Sequence, residues 1–420
     1  MKSRLITSIA SLLLLSSCAN SGKIRDIVDF TPKLAAEAAD FKVLLPSPAT
    51  ANPWTQGAGW INSQPQNFSA KTEGKFIKHK ASNAPIIAAP IIVDDKIFSI
   101  SAKGILSAID KKSYKTIWSA DLKAKTIATN FSGGGMAYRD GVIFLTHATR
   151  DMIAYDASVG RELWRRQLPD VTKAQPVLHK NIALVLTISN QLYAVDITNG
   201  RIVWQHEGLP ETISPNRNVA PIIHGDKVIV GYSSGQIVIL DLDNGQELWQ
   251  INLSKESGDV LPGFMPVGLE SQPIIDGSFM YVASGNGLLL KLNLENGLIL
   301  WQKKIRDVQA MNKSGNSIFV VTNAKQVAAL DAGTGMIAWA TDLYPAQVGK
   351  KQKSQKPAQF LTPLVINGEL FVISSDGKMH QISPETGAII KVREIEKGAQ
   401  FESVAGGLNI FTKQNLLTTE

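Results

Sequence analysis

The spacing of six tryptophans constrains this chain more than any other feature. Trp118, Trp164, Trp204, Trp249, Trp301 and Trp339 each close a segment of one pattern, and a seventh copy ends on Lys391. Eight residues before each closing position stand Asp110, Asp156, Asp196, Asp241, Asn293, Asp331 and Ser383. Four residues before it stands glycine in six copies (Gly160, Gly200, Gly245, Gly297, Gly335 and Gly387), with Tyr114 the exception. Twenty-eight residues before it stands Pro90, Pro176, Pro221, Pro273 or Pro363, and Met136 or Met311 in the other two copies. Seven copies without an insertion inside the unit define an array of one supersecondary element.

Each unit reads as four strands. Proline opens the first, where a missing N–H costs least. A turn such as Gly225-Asp226 leads to an apolar run such as Val228-Ile229-Val230, and a second turn (Ser234-Gly235) to Ile237-Val238-Ile239-Leu240. Asp241 to Gly245 is then a tight turn, with an aspartate to accept backbone N–H groups and a glycine for positive φ. The fourth strand ends on tryptophan, whose flat ring can dock between neighbouring units. Four short antiparallel strands per repeat of 40–50 residues match a propeller blade. After Lys391 the chain holds only about three more strands. Thr72 to Lys78 echoes Glu385 to Lys391, so the N-terminal segment is expected to supply the outer strand of an eighth blade. The predicted fold is all-β: an eight-bladed β-propeller of four-stranded antiparallel blades, closed by pairing of N- and C-terminal strands, which leaves no free edge at the join.

The spacing between units varies while the spacing within them does not. From closing to opening position the gaps are 18, 12, 17, 24, 10 and 24 residues. In a four-stranded meander these crossovers share one face of the disc, so that face is the expected binding surface. The long gap Gln250 to Gln272 carries Val260, Leu261, Phe264, Met265, Val267 and Leu269, which either meet a protein partner or fold back over the disc.

The first residues read as processing signal. Lys2 and Arg4 precede an apolar stretch, Leu5 to Leu15, too short to span a bilayer, and Leu15-Ser-Ser-Cys18 follows. The small residues before Cys18 resemble a bacterial lipobox, which implies cleavage before Cys18 and acylation of it. Cys18 is the chain's single cysteine, so no intramolecular disulfide can form. Ala19, where an inner-membrane retention signal would place aspartate, implies the outer membrane, periplasmic face. The expected organisation is a signal peptide over 1–17, a lipidated tether over 18–52 with a helical turn or two near Pro32 to Phe41, and the propeller over 53–420. The net charge of +7 is mild and spread along the chain, giving no nucleic-acid footprint. Its densest basic run, Gly349 to Lys356, reads as a solvated loop or as a contact for an acidic partner or lipid headgroup.

The unit Ala-x-Asp-x-x-x-Gly-x-x-x-Trp at Ala154 to Trp164, Ala194 to Trp204 and Ala329 to Trp339 resembles the PQQ-like propeller repeat, carried by quinoprotein dehydrogenases and by the BamB family. The BamB resemblance covers nearly the whole mature chain. It implies a non-catalytic scaffold that docks on the POTRA domains of BamA and assists insertion of β-barrel proteins, with unfolded outer-membrane proteins as further partners. It places the contact in two neighbouring loops, here Ile213 to Arg217 and Gly268 to Glu270. Ile213 and Glu270 fit the family pattern. Arg217 is shifted by about two residues, Pro215 replaces an apolar position, and Gly268 lacks a carboxylate. The alternative is an envelope propeller lipoprotein that binds a polysaccharide or another envelope protein. A quinoprotein reading needs a vicinal cysteine pair that a chain with Cys18 alone cannot make. Gly231-Tyr-Ser233-Ser-Gly235 matches a nucleophile-elbow pattern but falls in an expected strand-to-strand turn. Asp241 to Gly245 lacks the distal ligands of a calcium loop, and the six histidines show no metal-ligand spacing. No catalytic residue, cofactor or metal is expected.

Overall fold

The computed structural model describes residues 33–37, 40–52, 54–56, 66–122, 134–147, 149–172, 174–210, 219–255, 268–345, 358–405 and 407–419. Among them thirty-two strands form eight four-stranded antiparallel sheets and no α-helix is present. Blades 1 to 7 are consecutive meanders, from Ile91–Val93 through Thr116–Asp121 in blade 1 to Leu364–Ile366 through Ile389–Glu394 in blade 7. Blade 8 has Phe401–Ser403, Asn409–Phe411 and Asn415–Thr419, and its outer strand is Phe76–Lys80. Phe76 pairs with Thr419 and Lys80 with Asn415, so the ends of the chain close the ring as the sequence echo predicts.

Inner-strand length follows the opening residue. The five blades opened by proline have three-residue inner strands that begin on the next residue, at Ile91, Val177, Ile222, Ile274 and Leu364. With Met136 and Met311 the inner strands lengthen to six and seven residues, Gly134–Arg139 and Val308–Ser314. Methionine supplies the N–H that proline lacks, so pairing extends past the position.

The core lies in the seams. Separate apolar clusters fill the seams from blades 1 and 2 through to blades 6 and 7. The two seams of blade 8 merge into one further cluster with Trp54 and Phe68. Each tryptophan crosses to the next blade. The Trp118 indole N–H donates to the Ala157 carbonyl, Trp164 to Ile197, Trp204 to Leu242, Trp249 to Leu294, Trp301 to Ala332 and Trp339 to Pro384, over 2.7–3.2 Å. The ring lies on the glycine of that neighbouring turn: a Cβ on Gly245 would stand 2.5 Å from the Trp204 ring. Glycine is therefore required twice, for φ near +70° and for the space its neighbour's indole fills. The repeat aspartate organises the same turn. Asp110 accepts the amide and hydroxyl of Ser113, which hold its carboxyl below the usual range, and Ser158 does the same for Asp156.

The exceptions pair up. Tyr114 takes the glycine place in blade 1, and blade 8, which packs on it, has Lys78 in the tryptophan place. His79 instead stacks on the Tyr114 ring, centroids 3.4 Å apart. At this seam the docking indole and the glycine are absent together, whereas at the seam of blades 7 and 8 Lys391 stands in the tryptophan place and Gly74 keeps the glycine, at a φ of 98°.

The segment before the ring lies against it. Ala49 bridges Phe68, Phe68 bridges Ile366 on the inner edge of blade 7, Trp54 bridges Ile92 in blade 1, and Gln56 bridges Ala137 in blade 2. Trp54 and Phe68 are buried to 1 % exposure. Val43 packs on the seam of blades 6 and 7, and Leu44 and Asn316 exchange backbone and side-chain hydrogen bonds. The described part of the expected tether thus runs along the wheel. The helical turns expected near Pro32 to Phe41 are absent from the described residues there. The Leu34 amide donates to the Gln326 side chain and the Glu37 amide to the Ile337 carbonyl, so blade partners take the bonds a helix would have used.

Candidate partner-binding face

The crossovers gather on one face with the turns between second and third strands. In blades 1 to 7 the first crossover residue donates its amide to that turn: Leu122 to Gly104, Leu168 to Arg150, Gly208 to Asn190, Leu253 to Gly235, Ile305 to Gly287, Leu343 to Lys325 and Ile395 to Gly377, over 2.6–2.9 Å. Every crossover therefore leaves from a fixed point, and only its middle is free to vary.

Two neighbouring crossovers are anchored at both ends. The one from blade 3 to blade 4 starts at Gly208. A Cβ there would collide with the Tyr232 ring, and the next residue, Leu209, is held by Gln236 and Asn190 side chains through its amide and carbonyl. Leu209 itself is 53 % exposed, at the lip of the loop. The crossover from blade 4 to blade 5 starts at buried Leu253, whose carbonyl accepts the Asn286 side-chain amide. Its far end is fixed by Leu269, which bridges Ser284 and seats its side chain over Gly231, where a Cβ would come within 2.2 Å of it. The two far ends are tied to each other. Gln272 accepts the Ala220 amide at 3.1 Å and donates to the Ala220 carbonyl at 2.9 Å.

Of the site residues read from the sequence, Glu270 lies on this platform, half-buried, its amide donated to the Ala283 carbonyl at 2.9 Å. Ile213 and Arg217 fall outside the described residues, as do Cys18, the basic run Gly349 to Lys356 and the apolar residues Val260 to Val267. Leu269, grouped with that apolar set, is buried at the seam of blades 4 and 5. The stems that carry Arg217 and Glu270 are joined by the Gln272 clamp, a feature the sequence reading missed. Its signal was present: the residue before the opening proline is alanine in blade 4 and glutamine in blade 5. A small residue opposite leaves room for the longer side chain, as Gly135 does against Gln175 between blades 2 and 3. Gly231→Val is expected to push Leu269 off its seat, moving Glu270 with it, at a cost of about 1–3 kcal/mol. Urea unfolding together with partner capture measures both effects, and unchanged capture would detach Glu270 from the contact.

The face offers no assembled catalytic set among the described residues. Ser233 of the nucleophile-elbow match lies in the turn between second and third strands, buried, its hydroxyl donated to Asn190 at 2.6 Å. Asp241 accepts the amides of Asp243 and Asn244, a turn role. No three histidine, cysteine or acidic side chains come together as a metal donor set among the described residues.

Comparison with known proteins adds the family. A family profile described as outer membrane protein assembly factor BamB matches residues 102–341. The chain belongs to the BamB family. It is 33% identical over 403 residues to an uncharacterised protein of Rickettsia conorii, covering 93% of this chain and 92% of that one. It is 21% identical to outer membrane protein assembly factor BamB of Yersinia pestis, covering 94% and 92% of the two chains. Among solved structures, BamB from Moraxella catarrhalis superposes with a TM-score of 0.66 at 18% identity, over 81% of this chain and all of that one. A quinohemoprotein alcohol dehydrogenase from Comamonas testosteroni superposes at 0.63 with 14% identity, over 87% of this chain and 77% of that one. A BamB and a dehydrogenase share this wheel, so the wheel alone does not select between scaffold and enzyme.

Proposed function

We propose that this BamB-family chain is a non-catalytic scaffold of outer-membrane protein assembly, docking through its crossover face on the POTRA domains of a BamA homologue. One observation carries the reading: two adjacent crossovers, fixed at both ends and clamped together by Gln272 and Ala220, make a rigid platform for the loops where the family contact is expected. A platform that does not reorganise on binding avoids the ordering cost that weakens loop-mediated contacts. In this reading Ile213, Arg217 and Glu270 meet the partner. Residues 1–17 are removed as a signal peptide, Cys18 carries the lipid that holds the protein at the periplasmic face of the outer membrane, 18–52 is the tether and 53–420 the propeller. Unfolded outer-membrane proteins are the clients.

Capture from detergent-solubilised envelopes tests the proposal, and absence of a copurifying BamA homologue would sink it. For the contact itself, Glu270→Arg combined with Arg217→Glu is expected to weaken capture by about ten-fold, the scale of an interfacial charge reversal. The melting temperature of the double variant, followed alongside, should stay unchanged. Full capture by the double variant would remove both residues from the contact.

A further inference from the structure

Seven of the eight outer strands present at least three exposed residues each, and the outer strand of blade 6, Ile337–Asp342, presents none. The reason is a strap. Residues 33–37 run antiparallel to that strand along its outer edge. Lys33 pairs with Asp342 at 2.6 Å at one end, and at the other the Glu37 amide donates to the Ile337 carbonyl at 2.7 Å. The Glu37 carboxylate then takes the Ile337 amide at 3.2 Å and is gripped from blade 5 by Lys303. Leu34 tucks against the seam of blades 5 and 6. An extended peptide of this chain is thus seated where an added strand would go.

The grip is weak for its length. Among the described residues one of its bonds to the edge strand joins backbone to backbone, and both ion pairs are open to solvent at least in part, hence screened by salt and poor in net stabilisation. The strap is held largely because its tether keeps it at high effective concentration. We propose that the outer edge of blade 6 is an exchangeable strand-accepting edge for an extended polypeptide bearing a carboxylate, occupied in cis by residues 33–37. Backbone pairing to an open sheet edge supplies affinity that is largely indifferent to sequence, and the Lys303 ammonium adds a preference for an acidic residue at one position. The inference does not rest on the assembly role proposed above.

The test uses the full chain carrying Lys33→Ala and Glu37→Ala, which loosens the strap without touching a blade. The probe is a fluorescein-labelled peptide of residues 33–42, followed by anisotropy. The loosened variant should bind the peptide at least ten-fold more tightly than the unaltered chain. Adding Lys303→Glu should reverse that gain at unchanged melting temperature, and a peptide with lysine in the Glu37 place should restore it. Equal binding by loosened and unaltered chains, equal binding to the loosened variant of a peptide with lysine in the Glu37 place, or indifference to Lys303→Glu would overturn the proposal. So would dimerisation of the loosened variant in place of peptide capture, which would assign the edge to a second copy.

Discussion

Gly245→Val is expected to destabilise the ring by about 2–5 kcal/mol, and Gly225→Ala by about 1 kcal/mol, although both glycines sit at positive φ. At Gly225, φ is 61° and nothing lies within 4 Å of an added Cβ, so only the left-handed backbone resists. At Gly245 the same backbone cost meets the Trp204 ring at 2.5 Å. Trp204 cannot retreat, because its indole N–H is bonded to the Leu242 carbonyl at 3.0 Å and the side chain is buried among blades 3 and 4. Urea titration of both variants measures the gap, and a difference below about 1 kcal/mol would refute the steric account of the seam. A second comparison isolates the partnership. Trp204→Lys with Gly245→Tyr brings in the residue types that hold the tryptophan and glycine places at the seam of blades 8 and 1, Lys78 and Tyr114, the latter at a φ of 56°. The pair should cost less than the sum of its single changes, since each removes what makes the other harmful.

That coupling explains why so much of the wheel was legible and why some of it was not. The tryptophan, the glycine and the aspartate recur at fixed offsets because one seam imposes all three, so counting them counts blades. The proline-to-methionine exchanges and the Thr72 to Lys78 echo were likewise local signals with local causes. The route of the N-terminal segment was not legible, because nothing in Ala49 to Phe68 repeats. Trp54 and Phe68 reveal their place only when three inner strands stand beside them. The partner face was half legible. Gap lengths marked which segments vary, but the Gln272 clamp joins residues 52 apart and belongs to no periodic position. Glu270 was found through resemblance, and its stem geometry came from the fold alone.

Locking the closure is the second large effect. Ile77 and Thr418 are opposite one another in the pair of strands that joins the ends of the chain. Directly opposed residues in antiparallel strands have Cα atoms about 4.5–5.5 Å apart, inside the range a disulfide bridges. Ile77→Cys with Thr418→Cys, in a chain carrying Cys18→Ser so that no other thiol competes, would close a loop of roughly 340 residues, for which chain entropy alone predicts about 5–6 kcal/mol. Strain reduces such gains, so an oxidised form more stable than the reduced form by about 2–5 kcal/mol is the expected result, read by urea titration of the same sample with and without reductant. The gain depends on where the wheel gives way. The six seams from blades 1 and 2 through to blades 6 and 7 are each pinned by an indole, whereas blade 8 has Lys391 on one side and Lys78 on the other, and beyond its apolar cluster is held by ion pairs, Arg393 bonded to the Thr72 and Gly74 carbonyls, and the His79 stack. Blade 8 is therefore the blade that comes apart first, and a bond between its N-terminal and C-terminal strands should slow unfolding as well as shift the midpoint. If oxidation leaves the unfolding rate unchanged, the ring opens elsewhere, and the missing tryptophans at blade 8 are not its weak point.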